Sequence, residues 1–230
     1  EFYFFRDAAY GYGDDCERVA FFSKAILECL MHLDGFFPDV IHCNDWQTAL
    51  IPLLLRTEYH AAFPNTKSVF TIHNIEYQGK ANLSFNYDVI GLPRACDEVL
   101  RFDDCTNFMK AAIVTADRVN TVSKTYCEEL RYPYYAHGLS GVLASRGDAF
   151  SGITNGINME LFGPDKSTGL AQKYTPKTRK ARKAANKLAL QRAVGLDEDP
   201  DCALAVMVTR LGSHKGIDLL CYIGERLMQR

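Results

Sequence analysis

The sequence predicts an α/β fold built on a doubly wound parallel sheet, and two features of the 230-residue chain carry that prediction. Short segments rich in β-branched and aromatic residues alternate with segments whose apolar residues recur at helical spacing. Most of the short segments end in polar residues, as strands do where they leave a buried parallel sheet. This order is that of successive βαβ units. The predicted strands are residues 39–42, 67–72, 118–122, 150–154 and 203–209.

Helices are expected between these strands from the spacing of their apolar residues. The first begins after a cap at Asp14 or Asp15 and places Val19, Phe22 and Ile26 on one stripe, which we assign to the core together with Leu33. Others are expected over residues 46–59, 106–116 and 217–228, and one more after a cap at Ser123 or Thr125.

The composition is that of a globular protein without a strong charge bias. Hydrophobic residues make up 47% of the chain and the net charge is −2, which gives no indication of a nucleic acid or an anionic membrane as a partner. No apolar run approaches the roughly 18 residues of a membrane span. The eight cysteines include no CxxC pair, which favours free thiols in a reducing compartment over disulfides or a zinc site. We therefore expect a cytoplasmic protein, although a targeting segment before Glu1 is left open.

The polar cluster that begins at His73 and Asn74 is the strongest candidate for a functional site. It directly follows the strand over residues 67–72, and ligands of open α/β sheets bind beyond the carboxyl ends of the strands. Asp45 follows an earlier strand, and the turn pair Asn155-Gly156 follows a later one. Taken singly, each has a structural explanation: His73 as a loop histidine with satisfied hydrogen bonds, Asp45 as a helix N-cap.

Residues 163–202 form a basic segment, for which a solvated linker helix is the default interpretation and contact with a phosphorylated or polymeric ligand the sharper one. Beyond it, the last predicted strand ends at Arg210, and a loop through Gly212, Lys215 and Gly216 leads into a helix. A glycine-bearing loop at a helix N-terminus favours an anion, and a cation stands at each end of this loop. The pattern predicts a diphosphate site, although a lysine at such a position often only points to solvent.

Six motifs, taken in sequence order, resemble those of bacterial glycogen synthases and plant starch synthases, the retaining GT-B glucosyltransferases of glycosyltransferase family 5. The resemblance implies two Rossmann-like domains that face each other across a cleft, both incomplete in this chain. Residues 1–162 would be most of the N-terminal, acceptor-side domain, residues 163–202 an interdomain segment, and residues 203–230 the first strand and helix of the nucleotide-sugar domain. The motifs are residues 42–46, 71–79, 107–123, 137–139, 153–158 and 210–216.

This resemblance also implies an activity, the transfer of glucose from ADP-glucose to the non-reducing end of an α-1,4-glucan with retention of configuration. His73 matches the active-site histidine, which holds the donor glucose and places its backbone carbonyl near the anomeric carbon. Arg210 and Lys215 match the pair that binds the donor diphosphate, and two fixed cations stabilise the leaving ADP without a metal ion or cofactor. The residues assigned to substrate binding are Asp45, Asn74, Asn155 and Gly156.

Two departures from the family pattern limit these expectations. Asn44 stands where the family often has a second histidine, which affects the detail of acceptor binding. The family's lysine-containing glycine loop would precede Glu1, and most of the nucleotide domain would follow Arg230. We therefore expect an internal fragment that is inactive by itself, and the donor base, the choice between glycogen and starch, and the oligomeric state stay undetermined. A plastid location replaces the cytoplasm if the source is a plant.

Three other functions are compatible with parts of the sequence. Another GT-B transferase, which makes sucrose, trehalose phosphate or a cell-surface glycan, would share the Arg210–Lys215 loop but not the motifs at residues 71–79 and 107–123 together. A catalytically silent homologue that binds glucan as a scaffold would not need to keep His73 and both cations. A Rossmann-fold oxidoreductase is disfavoured because no GxGxxG follows a first strand.

Overall fold

The computed structural model describes residues 5–167 and 169–228, and the chain divides into two compact units after Gly156. In the first unit the helices are α1 (Asp15–Met31), α2 (Leu50–Arg56), α3 (Asp97–Leu100), α4 (Phe108–Thr115), α5 (Lys124–Glu129) and α6 (Ser140–Ala144). The strands are β1 (Val40–Asn44), β2 (Lys67–Ile72), β3 (Lys80–Ala81), β4 (Arg101–Phe102), β5 (Cys105–Asn107), β6 (Arg118–Thr121) and β7 (Phe150–Gly152). The second unit contains α7 (Met159–Phe162), α8 (Arg179–Ala193) and α9 (Ile217–Met228).

A four-stranded parallel sheet forms the centre of the first unit, in the order β1-β2-β6-β7. The predicted α/β class with a parallel sheet is thereby confirmed, and β2 has the bounds that the sequence predicted. Because all four strands run in the same direction, their carboxyl ends lie along one edge of the sheet. A small antiparallel sheet, ordered β3-β5-β4, lies apart from it.

The core lies between this sheet and the helices α2 and α4. Phe70 and Ile72 of β2 have no exposed surface, and neither has Phe108 at the start of α4. All six residues from Leu50 to Leu55 are buried, so α2 is enclosed by protein rather than lying on the surface. Removing a side chain as large as Phe70 from such a core costs about 3–5 kcal/mol, so the strand that leads into His73 is firmly fixed.

The predicted core stripe of α1 is confirmed at Val19 and partly at Ile26, which packs against the core, and is wrong at Phe22 and Leu33. The buried residues are Val19, Ala20, Ser23 and Leu27, whereas Phe22 remains 43% exposed. Leu33 lies beyond the end of the helix at Met31 and is also exposed. The apolar residues of α1 cover more than one face, and the packing partner, chiefly α2, selects which face is buried.

Two predictions near the unit boundary and beyond it are also wrong. Asn155 and Gly156 do not form a turn, since neither has the positive φ that a two-residue hairpin turn requires. Their segment follows a parallel strand and continues towards α7, and the described residues that come next form no antiparallel strand for a hairpin to join. Residues 203–209 form no strand, because no described strand pairs with them, and Val208 is 93% exposed.

The basic segment contains α8, which is exposed along most of its length, as expected of a solvated helix. Among the described residues, none of the helices is both long enough and apolar enough to span a membrane.

Candidate functional site

The candidate site lies at the carboxyl ends of β1 and β2, which are neighbours in the sheet. Asn44 at the end of β1 is paired with Thr71, two residues before His73. This register places Asn44 and Asp45 beside His73 and Asn74, although the two pairs are 29 residues apart in the sequence. The imidazole of His73 is exposed to solvent while the strand that leads into it is buried.

Asp45 holds the main chain of the His73 segment. Its Oδ1 accepts a hydrogen bond from the backbone N–H of His73 at 2.7 Å and another from that of Asn74 at 3.3 Å. Its own N–H donates to the Thr71 carbonyl at 2.9 Å. Asp45 stands at the N-cap position of the short 3₁₀ turn over Trp46–Thr48, but its side chain makes no capping hydrogen bond there, so the interpretation that it serves only as a helix cap is wrong.

The backbone of Asp45 adopts an unusual conformation, with φ 54° and ψ −175°. This region is populated almost only by glycine and costs other residues about 1–3 kcal/mol. The conformation persists where surrounding contacts determine it, and the three hydrogen bonds to the His73 segment and Thr71 are such contacts. The strain therefore makes the turn after β1 a candidate functional position.

Asn44 contacts the ring of His73. The side-chain Oδ1 of Asn44 lies 3.0 Å from His73 Nε2. The backbone of Asn44 is fixed by Thr48, whose Oγ1 accepts from the Asn44 N–H at 2.6 Å and donates to the Asn44 carbonyl at 2.9 Å. His73 is thus held at its main chain by Asp45 and at its ring by Asn44.

The loop that follows His73 is anchored by buried polar side chains. Gln78, 4% exposed, donates from Nε2 to the carbonyls of Ile75 and His137, both at 3.1 Å. Its Oε1 accepts from Nδ2 of Asn107, a side chain with no exposed surface, at 2.7 Å. The N–H of Ile75 donates to the hydroxyl of Tyr126 at 3.2 Å. The loop therefore presents His73 on a rigid base.

Gly79 closes this loop with φ +64° against the side chain of Trp46. A Cβ at this position would lie 2.6 Å from Trp46 Cε3 and 3.0 Å from a ring carbon of Phe108. Only glycine fits here, because both the backbone conformation and the space exclude a side chain.

Gln78, Asn107 and Tyr126 were not assigned a role from the sequence. Gln78 belongs to the same polar cluster as His73, and its position directly before Gly79 is a signal that the sequence contains. Asn107 also caps α4 by accepting from the Lys110 N–H, which a capping pattern indicates. Tyr126 lies 51 residues from Ile75, and no local pattern points to that contact.

Burial decides the ionisation of several groups around the site. It raises the pKa of the Cys43 thiol in β1 to about 12 and that of Cys16 to about 11, so both thiols are protonated at neutral pH. Burial also raises the pKa of Tyr126, whose hydroxyl stays neutral while it accepts from Ile75. Among the described residues, no group of three or more histidine, cysteine, aspartate or glutamate side chains is arranged to hold a metal ion.

Arg210 and Lys215 lie in the second unit, at the two ends of one short loop, and both are exposed. The N–H of Gly212 donates to the Arg210 carbonyl and the N–H of Lys215 to the Gly212 carbonyl, both at 2.9 Å. Lys215 ends a 3₁₀ turn, and α9 begins after Gly216, which has φ +68°. Lys215 therefore stands just before the helix that the sequence predicted.

Asn155 and Gly156, the remaining predicted site residues, are exposed beyond the end of β7. In the part of the chain that the structure describes, no hydrogen bond or ion pair joins them to His73. The arrangement thus brings together His73, Asn74 and Asp45, whose imidazole, amide and carboxylate groups can bind the hydroxyls of a sugar.

Comparisons with known proteins agree on one family. A family described as the starch synthase catalytic domain matches residues 1–145. The chain is 44% identical to a glycogen synthase of Clostridium perfringens, with 100% of this chain and 48% of that protein covered. It is 41% identical to a glycogen synthase of Lachnospira eligens, with 99% and 48% covered.

A solved structure of the catalytic domain of starch synthase IV from Arabidopsis thaliana, bound to ADP and acarbose, superposes with a TM-score of 0.82. It is 32% identical to this chain and the match covers 99% of this chain and 47% of that one. The chain spans about half the length of the relatives that it matches. On these matches, and with its α/β fold in agreement, the chain belongs to the starch synthase catalytic domain family, glycosyltransferase family 5.

Proposed function

We propose that the protein carrying this sequence is a glycogen or starch synthase, which transfers glucose from ADP-glucose to the non-reducing end of an α-1,4-glucan with retention. The observation that carries the proposal is the fixed presentation of His73 at the carboxyl end of β2, held by Asp45 and Asn44. The 44% identity to a glycogen synthase over the whole chain supports it.

The first unit supplies the face that contacts the sugars. His73 binds the donor glucose, and its peptide is positioned by Asp45 through the hydrogen bonds to His73 and Asn74. Among the described residues, Oδ2 of Asp45 has no hydrogen-bond partner, so this oxygen is the one that meets a sugar hydroxyl. Asn74, half-buried beside it, and Asn155 with Gly156 complete the substrate contacts in this proposal.

The second unit supplies positive charge for the diphosphate. As the bond between the anomeric carbon and the phosphate oxygen breaks, negative charge grows on the departing ADP while the sugar gains oxocarbenium character. Arg210 and Lys215 stabilise that charge, and placed cations of this kind lower a barrier because they need no reorganisation during the reaction. The oxygen of the acceptor 4-hydroxyl then bonds to the anomeric carbon, and its proton passes to the departing phosphate oxygen of ADP. The proposal requires no cofactor and no metal ion.

The choice of ADP-glucose as the donor is supported by the ADP in the starch synthase IV structure, and a glucan acceptor by the acarbose in the same structure. We include a cytoplasmic location in the proposal, supported by the eight free cysteines. Neither a nucleic acid nor a membrane is proposed as a partner.

A donor competition assay with the full-length protein carrying this sequence tests the proposal. With a glycogen primer, we expect labelled glucose to be transferred from ADP-glucose, with UDP-glucose a much poorer donor, and the product to be shortened by a β-amylase that acts from non-reducing ends. Binding of glycogen without turnover of either donor would contradict the proposal and support the silent glucan-binding homologue instead.

A further inference from the structure

We propose that Asn44 is a positioning residue that fixes the tautomer and orientation of the His73 imidazole. The evidence is the 3.0 Å approach of Asn44 Oδ1 to His73 Nε2, which joins the ends of two neighbouring parallel strands. This inference rests on the proposed function only where it takes His73 to bind a sugar. The tautomer itself is a property of this chain and is measured without a substrate.

The chemistry of the two side chains determines the tautomer. An amide oxygen has lone pairs and no proton, so it can only accept a hydrogen bond. His73 Nε2 must therefore carry the proton that it donates to Asn44 Oδ1. In a neutral imidazole only one nitrogen is protonated, so Nδ1 of His73 is left with a lone pair.

The position of Asn44 does not depend on the contact with His73. Its N–H and its carbonyl are both bonded to Oγ1 of Thr48, and its register with Thr71 is set by the pairing of β1 with β2. The backbone that carries this acceptor is thus fixed independently, and the exposed His73 ring is oriented by its contact with Asn44 Oδ1. Replacing its side chain leaves both backbone hydrogen bonds to Thr48 possible.

The only charged group that the described contacts place directly on His73 is Asp45, and its carboxylate meets the backbone N–H rather than the ring. Asn44 and Asp45 therefore have separate tasks, one at the ring and one at the main chain. With Nε2–H directed to Asn44, Nδ1 is the nitrogen that accepts a hydrogen bond from a sugar hydroxyl. A donor sugar is then recognised by a hydroxyl that donates to His73.

Nuclear magnetic resonance of the ¹⁵N-labelled chain reads the tautomer directly. Long-range ¹H–¹⁵N correlations distinguish a protonated from an unprotonated ring nitrogen, and the His73 signals are assigned by their loss in His73→Gln. At a pH where the ring is neutral, we expect a single species with the proton on Nε2. A proton on Nδ1 in the unsubstituted chain would overturn the proposal.

Three variants separate the role of Asn44 from general effects of substitution. Asn44→Leu keeps the size but removes the acceptor, and we expect a mixture in which the tautomer ratio falls by about fivefold, the value of one ordinary hydrogen bond. Asn44→Asp keeps an acceptor oxygen and should keep the proton on Nε2. Asn65→Leu replaces an exposed asparagine before β2 and should leave the His73 signals unchanged. An unchanged ratio in a folded Asn44→Leu chain would contradict the proposal.

Activity of the full-length protein gives an independent reading. Asn44→Leu should lower kcat about tenfold with little change in the affinity for ADP, since only the sugar-binding end is affected, and Asn44→Asp should recover part of the loss. Absence of transfer by the unsubstituted protein would refute the proposed function while the tautomer measurement still decides the role of Asn44. A normal kcat in Asn44→Leu would show that this hydrogen bond does not serve the reaction.

Discussion

Two regions of the chain, the His73 segment and the loop from Arg210 to Lys215, are built in different ways. His73 is held by residues far away in the sequence: Asp45 contacts its main chain across 28 positions, and Gln78 in the same loop contacts His137 across 59. The loop from Arg210 to Lys215 is held by hydrogen bonds within itself. The helix after that loop, α9, has no buried residue, whereas α4 beneath the His73 loop has six.

The difference agrees with the roles proposed for the two regions, sugar binding by the His73 segment and diphosphate binding by the loop. A sugar is recognised by directional hydrogen bonds, which weaken steeply with distance and angle, so the group that contacts it must be fixed. A diphosphate is attracted by charge, which falls off slowly with distance and tolerates a flexible lysine. We infer that preorganisation is concentrated around His73 and that the cationic loop contributes charge.

The largest effect is expected from His73→Ala in the full-length protein. Removal of a group that acts at the reacting sugar should lower kcat by about 100-fold or more, while glycogen binding stays within a few-fold. Transfer of labelled glucose from ADP-glucose measures kcat, and co-sedimentation with glycogen measures glycogen binding. The matched control is His60→Ala, an exposed histidine after α2. Turnover that survives within a few-fold would remove His73 from the mechanism.

The rigidity of the loop that follows His73 is tested by comparing the stability of Gly79→Ala with that of the control variant Gly91→Ala. Both glycines lie in the first unit at positive φ, +64° and +78°, but only at Gly79 would the added Cβ meet other atoms. Backbone strain should cost each variant about 1 kcal/mol, and the clash with Trp46 should cost Gly79→Ala about 1–3 kcal/mol more. Urea unfolding of the chain measures the difference, and equal losses would mean that the loop gives way freely.

Lys215→Ala tests the other half of the comparison. Loss of a charge-assisted contact to phosphate should weaken the binding of ADP by about tenfold and leave the unfolding midpoint unchanged, since Lys215 is exposed. Titration calorimetry with ADP measures the affinity, and Lys177→Ala, an exposed lysine of the same unit, is the control. Unchanged affinity for ADP would exclude the diphosphate role.

The smallest effect on stability is expected at Asp117, whose side chain links the start of β6 to β2, the strand that leads into His73. Its Oδ2 accepts from the N–H of Ser68 at 2.8 Å and from Ser68 Oγ at 3.1 Å, and Arg56 and Lys67 lie within 4 Å of Oδ1. Partial burial by itself would raise the pKa of Asp117, but the hydrogen bonds and the two cations together lower it below its usual range.

A lowered pKa in the folded state means that Asp117 stabilises the fold above the unfolded pKa of ~3.9, and that this contribution is lost as the pH falls through the lower folded value. Asp117→Asn should therefore reduce the free energy of unfolding by about 1 kcal/mol at pH 7. The difference from the unsubstituted chain should shrink as the pH is lowered below 3.9. A difference that is constant across this range would show that the charge is irrelevant.

The sequence predicted the parts of the fold that depend on local pattern and burial. β2 was placed with its full extent because its β-branched and aromatic residues suit a strand buried on both faces. The candidate site beyond it rests on the rule that ligands bind at the carboxyl ends of parallel strands, and its function stays a prediction. Ser123 was correctly named as one of two candidate caps for α5, since a cap bonds to residues only two or three positions away.

The errors share a different cause, dependence on a partner that is distant in the sequence. A strand exists only when another strand pairs with it, so residues 203–209 had the composition of a strand without becoming one. Asp45 has the pattern of an N-cap, yet its carboxylate contacts His73 and Asn74 instead, a choice made by the pairing of β1 with β2. The same pairing places Asn44 in contact with His73, whereas the sequence linked Asn44 only to acceptor binding.

Amide hydrogen exchange on the chain tests the central claim, that the His73 segment is preorganised and the cationic loop is not. The amides of His73 and Asn74 donate to Asp45 and should exchange slowly, whereas the amide of Lys215 in its exposed turn should exchange at close to the unfolded rate. In Asp45→Gly, which tolerates the unusual backbone but lacks the carboxylate, protection at His73 and Asn74 should fall while Lys215 is unaffected. Exchange at His73 as fast as at Lys215 in the unsubstituted chain would contradict the account.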